Sequence, residues 1–407
     1  MPTNTVAPPD PGLALLTGPD AGAMVDAVLA AAGARSLRWA LKQVDHQPGR
    51  GATASYTVDV EWADGARTRE ILGACSGELP AGIARISDGA TEIGMWRFPV
   101  DPDLPALPLV HDHRQVRALL RGTGLDAPDG PVRSRLRVYR PRRRAVFEVS
   151  TPAGTAFVKV VRPRHARELH RRHRIAEAAG CPVPAALGWT ETGAVVLARL
   201  PGRGLREGLL TGAMTLDPDD VVNTLDALPA GLATGERRRT WGQRAPHYAE
   251  VIAAAAPSLA ERARAVANAV DHEEPEGPDT AVHGDFYEGQ LLMRDGRIVG
   301  LLDLDTAGRG ERLDDAGCLL AHLSLLAELR PDAAPDLDRL VSRLYLRFVR
   351  ELDPAALSRR AAAVALSLAT GPHRLGQADW LARTEDRVAL AQTWLEPTNG
   401  SPPRAER

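Results

Sequence analysis

The residues best placed to do chemistry lie in His283-Gly284-Asp285-Phe286-Tyr287-Glu288-Gly289-Gln290, followed by Leu301-Leu302-Asp303-Leu304-Asp305. Asp285 offers a carboxylate that could orient an attacking hydroxyl and take its proton. Five residues on, Gln290 offers an amide oxygen, and Asp303 returns a second carboxylate after a short hairpin. Hard oxygen donors of this kind suit Mg²⁺ better than zinc or copper. A base, a hard cation and a second carboxylate are the parts needed for phosphoryl transfer. Each part alone is weak: His-Gly-Asp is commonly a turn, and Asp-Leu-Asp commonly ends a strand. The hairpin between them gives the set its specificity.

A lysine elsewhere fits the same chemistry. The 407-residue chain holds 50 Lys and Arg, yet lysine stands only at Lys42 and Lys159. Lys159 lies in Ala156-Phe157-Val158-Lys159-Val160, a strand pattern, where a compact ammonium can meet phosphate as a point charge. The competing account is a half-exposed strand lysine.

These motifs resemble the kinase-like phosphotransferases that include aminoglycoside phosphotransferases, choline kinases and maltokinases. That family carries His-Gly-Asp, four residues, then Asn or Gln, and an Ile/Leu-Asp element about a dozen residues later. Here these are His283-Gly284-Asp285 with Gln290, then Leu302-Asp303. Asp315 in Leu313-Asp314-Asp315-Ala316 matches the family's further Asp. The resemblance implies Asp285 as catalytic base, Gln290 and Asp303 as Mg²⁺ ligands, and Asp315 and His283 as braces of the loop. It implies Lys159 on the ATP phosphates, paired with Glu168 and with Glu177 as runner-up. The backbone of Val196, Leu197 and Ala198 would meet adenine. Asp305 departs from the pattern and is read either as a metal ligand or as a carboxylate facing the substrate; a solvated or helix-capping Asp is an equal alternative. No Gly-x-Gly-x-x-Gly loop precedes Lys159; 141–144 replaces it, with arginines that could touch phosphate or water. No Ala-Pro-Glu element follows Asp303, which argues against a protein kinase. The resemblance covers roughly 130–395.

The elements that must position these residues can be read from pattern. Residues 22–33 and 38–43 are Ala/Leu-rich and read as helices. Residues 52–62 alternate as a strand, Ala63-Asp64-Gly65 turns, and a second strand follows through Leu72. A Pro-rich linker spans 99–108, and a short helix about 113–121. Strands are expected at 136–140, 145–150, 155–161 and 195–200, with a basic helix over 164–179. The catalytic hairpin reads as 290–293 and 297–304 about Arg294-Asp295-Gly296. Long helices fill 313–352 and 354–395, and the tail from 397 reads as disordered. The implied fold is α+β, bilobal and protein-kinase-like. Its parts are an N-terminal cap (1–108), a sheet-rich lobe (109–200) and a helical lobe (201–396), with the active site between the lobes.

Residues 46–52 and 139–145 echo each other, and each precedes strand, turn and strand. Counted from the turn glycines, Glu70 stands where Lys159 does. Two ordinary β-hairpins would give the same echo, and that reading is preferred to a duplication.

Composition bounds the rest. Hydrophobic residues at 44%, charged residues at 25% and a net charge of -2 describe an ordinary globular chain with no global basic field for nucleic acid. No apolar run approaches the roughly 20 residues of a membrane span. Cys75, Cys181 and Cys318 are far apart and show no metal-ligand spacing, so a reduced cytoplasmic protein is expected. A monomer or homodimer is expected, acting on a small molecule with no nucleic-acid or membrane partner. The cap looks similar to that of actinobacterial maltokinase-like sugar kinases, and the catalytic loop to relatives that phosphorylate glucosamine. The expected substrate is therefore a sugar or amino sugar. Glu288, Asp305 and Asp314 are candidates for its amine, and Arg374, Gln377 and Trp380 for its hydroxyls and ring face. An aminoglycoside substrate or a silent nucleotide-binding regulator are the alternatives.

Overall fold

The computed structural model describes residues 10–87, 89–126, 130–270 and 277–396. The tail expected from 397 lies outside the described residues. The chain divides into two compact units. One comprises Met1–His170, Ala186–Ala198 and Pro372–Trp380; the other comprises Arg171–Ala185, Arg199–Gly371 and Leu381–Arg407.

The first unit is built on two five-stranded antiparallel sheets. One runs β1(Ala34–Gln47), β2(Gly51–Trp62), β3(Arg67–Cys75), β4(Ala84–Ser87) and β5(Glu92–Arg97) in the order β1-β2-β3-β5-β4. The other runs β6(Arg133–Arg140), β7(Arg144–Thr151), β8(Gly154–Val161), β9(Ala186–Trp189) and β10(Ala194–Ala198) in the order β6-β7-β8-β10-β9. The echo in the sequence is thus the trace of two sheets with one strand order. Register moves the point of comparison, however. Gln47 faces Gly51 at the first turn, and two residues on Thr53 faces Cys75. Arg140 faces Arg144 at the second, and two residues on Val146 faces Lys159. Cys75 is therefore the positional counterpart of Lys159, whereas Glu70 faces Val58.

Residues 38–43, expected as helix, belong to β1. The apolar run is overridden by its neighbours: Trp39 packs edge-on against Tyr56 of β2 at 5.9 Å, and alternate residues turn toward the core. The helices Pro11–Thr17 and Ala21–Ala31 bring Leu16, Val25 and Leu29 onto the same core. The 99–108 linker is not a free tether. Leu104, Ala106 and Leu107 are fully buried in the core of the second sheet beside Phe147 and Val158. Trp96 donates from Nε1 to the Tyr139 hydroxyl at 3.0 Å, and Tyr139 donates to Asp101 at 2.7 Å, which ties the two sheets together.

The second unit is helical apart from two small sheets. β11(Arg203–Gly204), β13(Leu291–Arg294) and β14(Arg297–Leu301) form one; β12(Asp279–Val282) and β15(Gly308–Glu311) form the other. The long helices expected over 313–352 and 354–395 are broken into Arg312–Leu329, Ala334–Phe348, Pro354–Leu368 and Trp380–Thr393, with a short helix Gly371–Arg374 that falls almost wholly in the first unit. Pro at the start of the second and third sets φ for a first turn. Among the described residues no single helix is long and apolar enough to cross a membrane.

Candidate active site

The His283 loop is held by the pairing of β12 with β15. Val282 faces Gly308, so the chain leaves β12 and returns at the same place. Gly284 sits at φ 78°, and a Cβ there would lie 2.7 Å from the Thr306 carbonyl. Only glycine meets both conditions. The peptide N–H groups of His283 and Gly284 donate to the two oxygens of Asp315, at 2.8 and 2.7 Å. That carboxyl is fully buried at the start of the Arg312–Leu329 helix. Burial raises its pKa, against the pull of His283 and the two N–H donors.

His283 joins the two halves of the site. Its Nδ1 accepts from the Asp285 N–H at 3.3 Å, which leaves the proton on Nε2, and Nε2 donates to the Leu302 carbonyl at 2.8 Å. Asp285 and Asp303 are thereby fixed to one ring through adjacent backbone. Gln290 completes the arrangement: its carbonyl accepts from the Leu302 N–H at 2.8 Å, where the β13–β14 ladder ends. Asp303 adopts left-handed backbone, φ 64° and ψ 65°. A non-glycine residue there is strained and persists when its surroundings over-determine it. Tyr287 senses the result. Burial pushes its pKa up to about 12, and the charges of Asp285, Glu288 and Asp303 act in the same direction against Arg206.

Glu288 is not available to an acceptor amine. Its side chain is 0% exposed and Arg206 binds it at 2.7 Å. Asp314 is likewise taken: Arg360 lies 3.1 Å from it and the Trp241 N–H donates to it at 3.1 Å. Burial lifts the Asp314 pKa to about 6, opposed by Arg360. Asp305 stands in the short turn Leu304–Thr306, whose carbonyls are gripped by Arg172 and Arg238. Arg172, Arg206, Arg238 and Arg360 went unmarked in the sequence, because arginine is everywhere in this chain and nothing local distinguishes these four. Tyr287 and His322 were also missed; their rings stack at 4.2 Å and 18°.

In the first unit Lys159 is 6% exposed, which excludes a half-exposed strand lysine. It faces Val146 and Val195 across β8. Glu168 follows on the Pro163–Ala178 helix, while Glu177 sits in the other unit beside Arg174 at 3.5 Å. Val196, Leu197 and Ala198 close β10 against β8. Of the arginines in the 141–144 turn, Arg142 binds Asp103 at 2.9 Å and Arg143 binds Asp45 at 2.5 Å, so neither is idle in water. Arg374, Gln377 and Trp380 also belong to the first unit. Arg374 lines a small recess with Asp45 and Arg143, and Trp380 packs edge-on against His373 at 4.8 Å. In the second unit an open cleft of about 1420 Å³, lined by Glu328, Asp338, Arg343, Arg383 and Trp394 among others, includes none of the residues read as catalytic.

The family model for the phosphotransferase enzyme family, APH, matches residues 140–352, more than half of the chain. This chain belongs to that family. It is a phosphotransferase with a mixed helix and sheet fold, sheet-rich in its N-terminal part and helical in its C-terminal part. No curated protein matches it. Among solved structures, choline kinase from Cryptosporidium parvum Iowa II aligns at 9% identity and TM-score 0.49, covering 70% of this chain and 95% of that one. A thermostable aminoglycoside phosphotransferase mutant, solved with AMP-PNP and hygromycin B, aligns at 15% and 0.48, covering 70% and 99%. A choline/ethanolamine kinase family protein from Mesorhizobium loti aligns at 18% and 0.47, covering 70% and 96%.

Proposed function

We propose that this phosphotransferase uses ATP and Mg²⁺ to phosphorylate a hydroxyl of a small sugar or amino sugar, with glucosamine giving its 6-phosphate as the best fit. The observation that carries the kinase reading is the His283 bridge, which fixes Asp285 and Asp303 to one ring while Gln290 abuts Leu302. The donor set fits the cofactor: two carboxylates and an amide, all hard oxygens, beside backbone held rigid by Asp315. Mg-ATP, when bound, supplies the transferable γ-phosphoryl and neutralises its charge.

The chain's own residues do the rest. Asp285 orients the acceptor hydroxyl and takes its proton. Gln290 and Asp303 hold the metal, and Asp305 is a further candidate for it. Lys159 takes the α- and β-phosphates, aided by Glu168, and the backbone of Val196 to Ala198 takes adenine. With Glu288 bound to Arg206 and Asp314 to Arg360, the case for a cationic acceptor rests on Asp305 alone.

The test is ADP release with Mg-ATP against glucosamine, glucose, N-acetylglucosamine, maltose, kanamycin and choline. Turnover confined to glucosamine supports the amino-sugar reading. Turnover on kanamycin makes the protein an antibiotic phosphotransferase, and none on any sugar sinks the sugar assignment. Asp285→Asn should lower turnover about 10²–10⁴-fold with little change in ATP affinity, the usual worth of a positioned acid or base. Retention of most activity would remove Asp285 as the base.

A further inference from the structure

The sequence shows no metal-ligand spacing among the cysteines, but the fold creates one with other partners. Cys318 and His322 are four residues apart on the Arg312–Leu329 helix and so share a face. Asp285 lies against that face. One ligand atom from each of Asp285, Cys318 and His322 falls within 4.8 Å of the other two. The thiol is fully buried, whereas Asp285 and His322 are partly exposed, which leaves an approach from solvent. The His322 ring is set by its stack on Tyr287.

We propose that Asp285, Cys318 and His322 form a binding site for a thiophilic divalent cation of the Zn²⁺ class, and that filling it switches off phosphoryl transfer. The inference rests on the reading of Asp285 as the base. A sulfur, nitrogen and oxygen set is foreign to Mg²⁺ and suited to Zn²⁺, which binds three protein ligands and leaves a fourth position for water. Bond lengths of about 2.0–2.3 Å require the three ligand atoms to draw in by side-chain rotation. Coordination is a proton exchange without redox: the Cys318 S–H bond breaks, the sulfur binds the metal, and the proton leaves to water. Asp285, once a ligand, can no longer accept a proton from an acceptor hydroxyl.

The test uses Co²⁺ as a spectroscopic probe on the full-length protein. One equivalent should produce a thiolate-to-cobalt charge-transfer band that Zn²⁺ displaces. Cys318→Ala and Cys318→Ser should lose the band, and His322→Gln and Asp285→Asn should weaken Co²⁺ binding at least tenfold. None of these readings needs turnover. In the kinase assay, micromolar Zn²⁺ with excess Mg-ATP should inhibit the wild type. Cys318→Ala and His322→Gln should resist it at least tenfold, inhibition being measured against each variant's own turnover without Zn²⁺. Absence of the band in folded wild-type protein, or its persistence in Cys318→Ala, overturns the site. A band without inhibition overturns the switch. A band lost in the variants from a protein that phosphorylates none of the offered sugars would keep the site and sink the sugar assignment instead.

Discussion

The two sheets of the first unit share a strand order and differ in what they carry. Both open with the same kind of turn. Gln47-Pro48-Gly49-Arg50-Gly51 and Arg140-Pro141-Arg142-Arg143-Arg144 each place their third residue in left-handed backbone, at φ 75° for Gly49 and 61° for Arg142. Glycine takes that conformation without steric cost. Arg142 does not, and it is held there from outside: its N–H donates to Asp101 at 2.8 Å and its Nε to Asp103 at 2.9 Å. Farther along, the first sheet presents Cys75 where the second presents Lys159. Between the third and fourth strands the first sheet has a loop, while the second has the Pro163–Ala178 helix that bears Glu168. The ladder alone therefore makes no phosphate site. A cation at one register position and a helix in one connection distinguish the two sheets, which is why fold does not imply function.

The largest expected effect sharpens that contrast directly. Lys159→Ala should cost about 10²–10³-fold in kcat/KM, comparable to removing a preorganised donor from developing charge. Cys75→Ala, at the matching place in the other sheet, should leave it unchanged. Equal losses in the two variants would mean that both sheets serve the chemistry.

A smaller effect separates the turns by pH. Burial raises the Asp101 pKa, although the Arg142 N–H, the Tyr139 hydroxyl and the Asp103 N–H favour its charged form. The folded state thus keeps this proton to higher pH than the unfolded chain does. Its contribution is greatest in acid and is lost as pH rises from about 4 through the folded value. Urea unfolding of wild type and Asp101→Asn at several pH values should diverge with a slope of at most about 1.4 kcal/mol per pH unit. Parallel curves would show that Asp101 does not titrate in that range. Smallest is the turn itself. Gly49→Ala should lower stability by about 1 kcal/mol, since a Cβ there meets nothing within 4 Å and the cost is conformational. Arg142→Gly keeps the N–H bond to Asp101 and loses only the side-chain bond to Asp103; if it stabilised the protein, the Asp103 pair would not offset the cost of the left-handed backbone.

Much of this was legible beforehand where local pattern and tertiary need agree. The strands about 145–150 and 155–161, the basic helix and the catalytic hairpin appear close to their expected places because alternation and turn residues match the pleat. Residues 38–43 misled because an Ala/Leu run carries no β-branched signal, and its neighbours in the sheet outweighed propensity. The 99–108 segment was legible as the connection that closes the first sheet, but not that its Leu104 and Leu107 are buried in the core of the second. Glu288 looked like an acceptor ligand because nothing in the sequence joins it to Arg206, 82 residues away.

The sequence by itself determined the chemical vocabulary: Asp285, Gln290 and Asp303 at hairpin spacing, a rare lysine on a strand, and the family match over 140–352. The hairpin spacing and the strand around the lysine are short-range facts, set by turn and strand periodicity; the family match rests on the motifs taken together. Only the tertiary structure decided which carboxylates stay engaged with arginine, that Cys75 and not Glu70 matches Lys159, and that Cys318 and His322 meet Asp285. The reason is physical: ion pairs, ladder register and ligand clusters depend on residues brought together from distant parts of the chain, and local spacing carries no record of them.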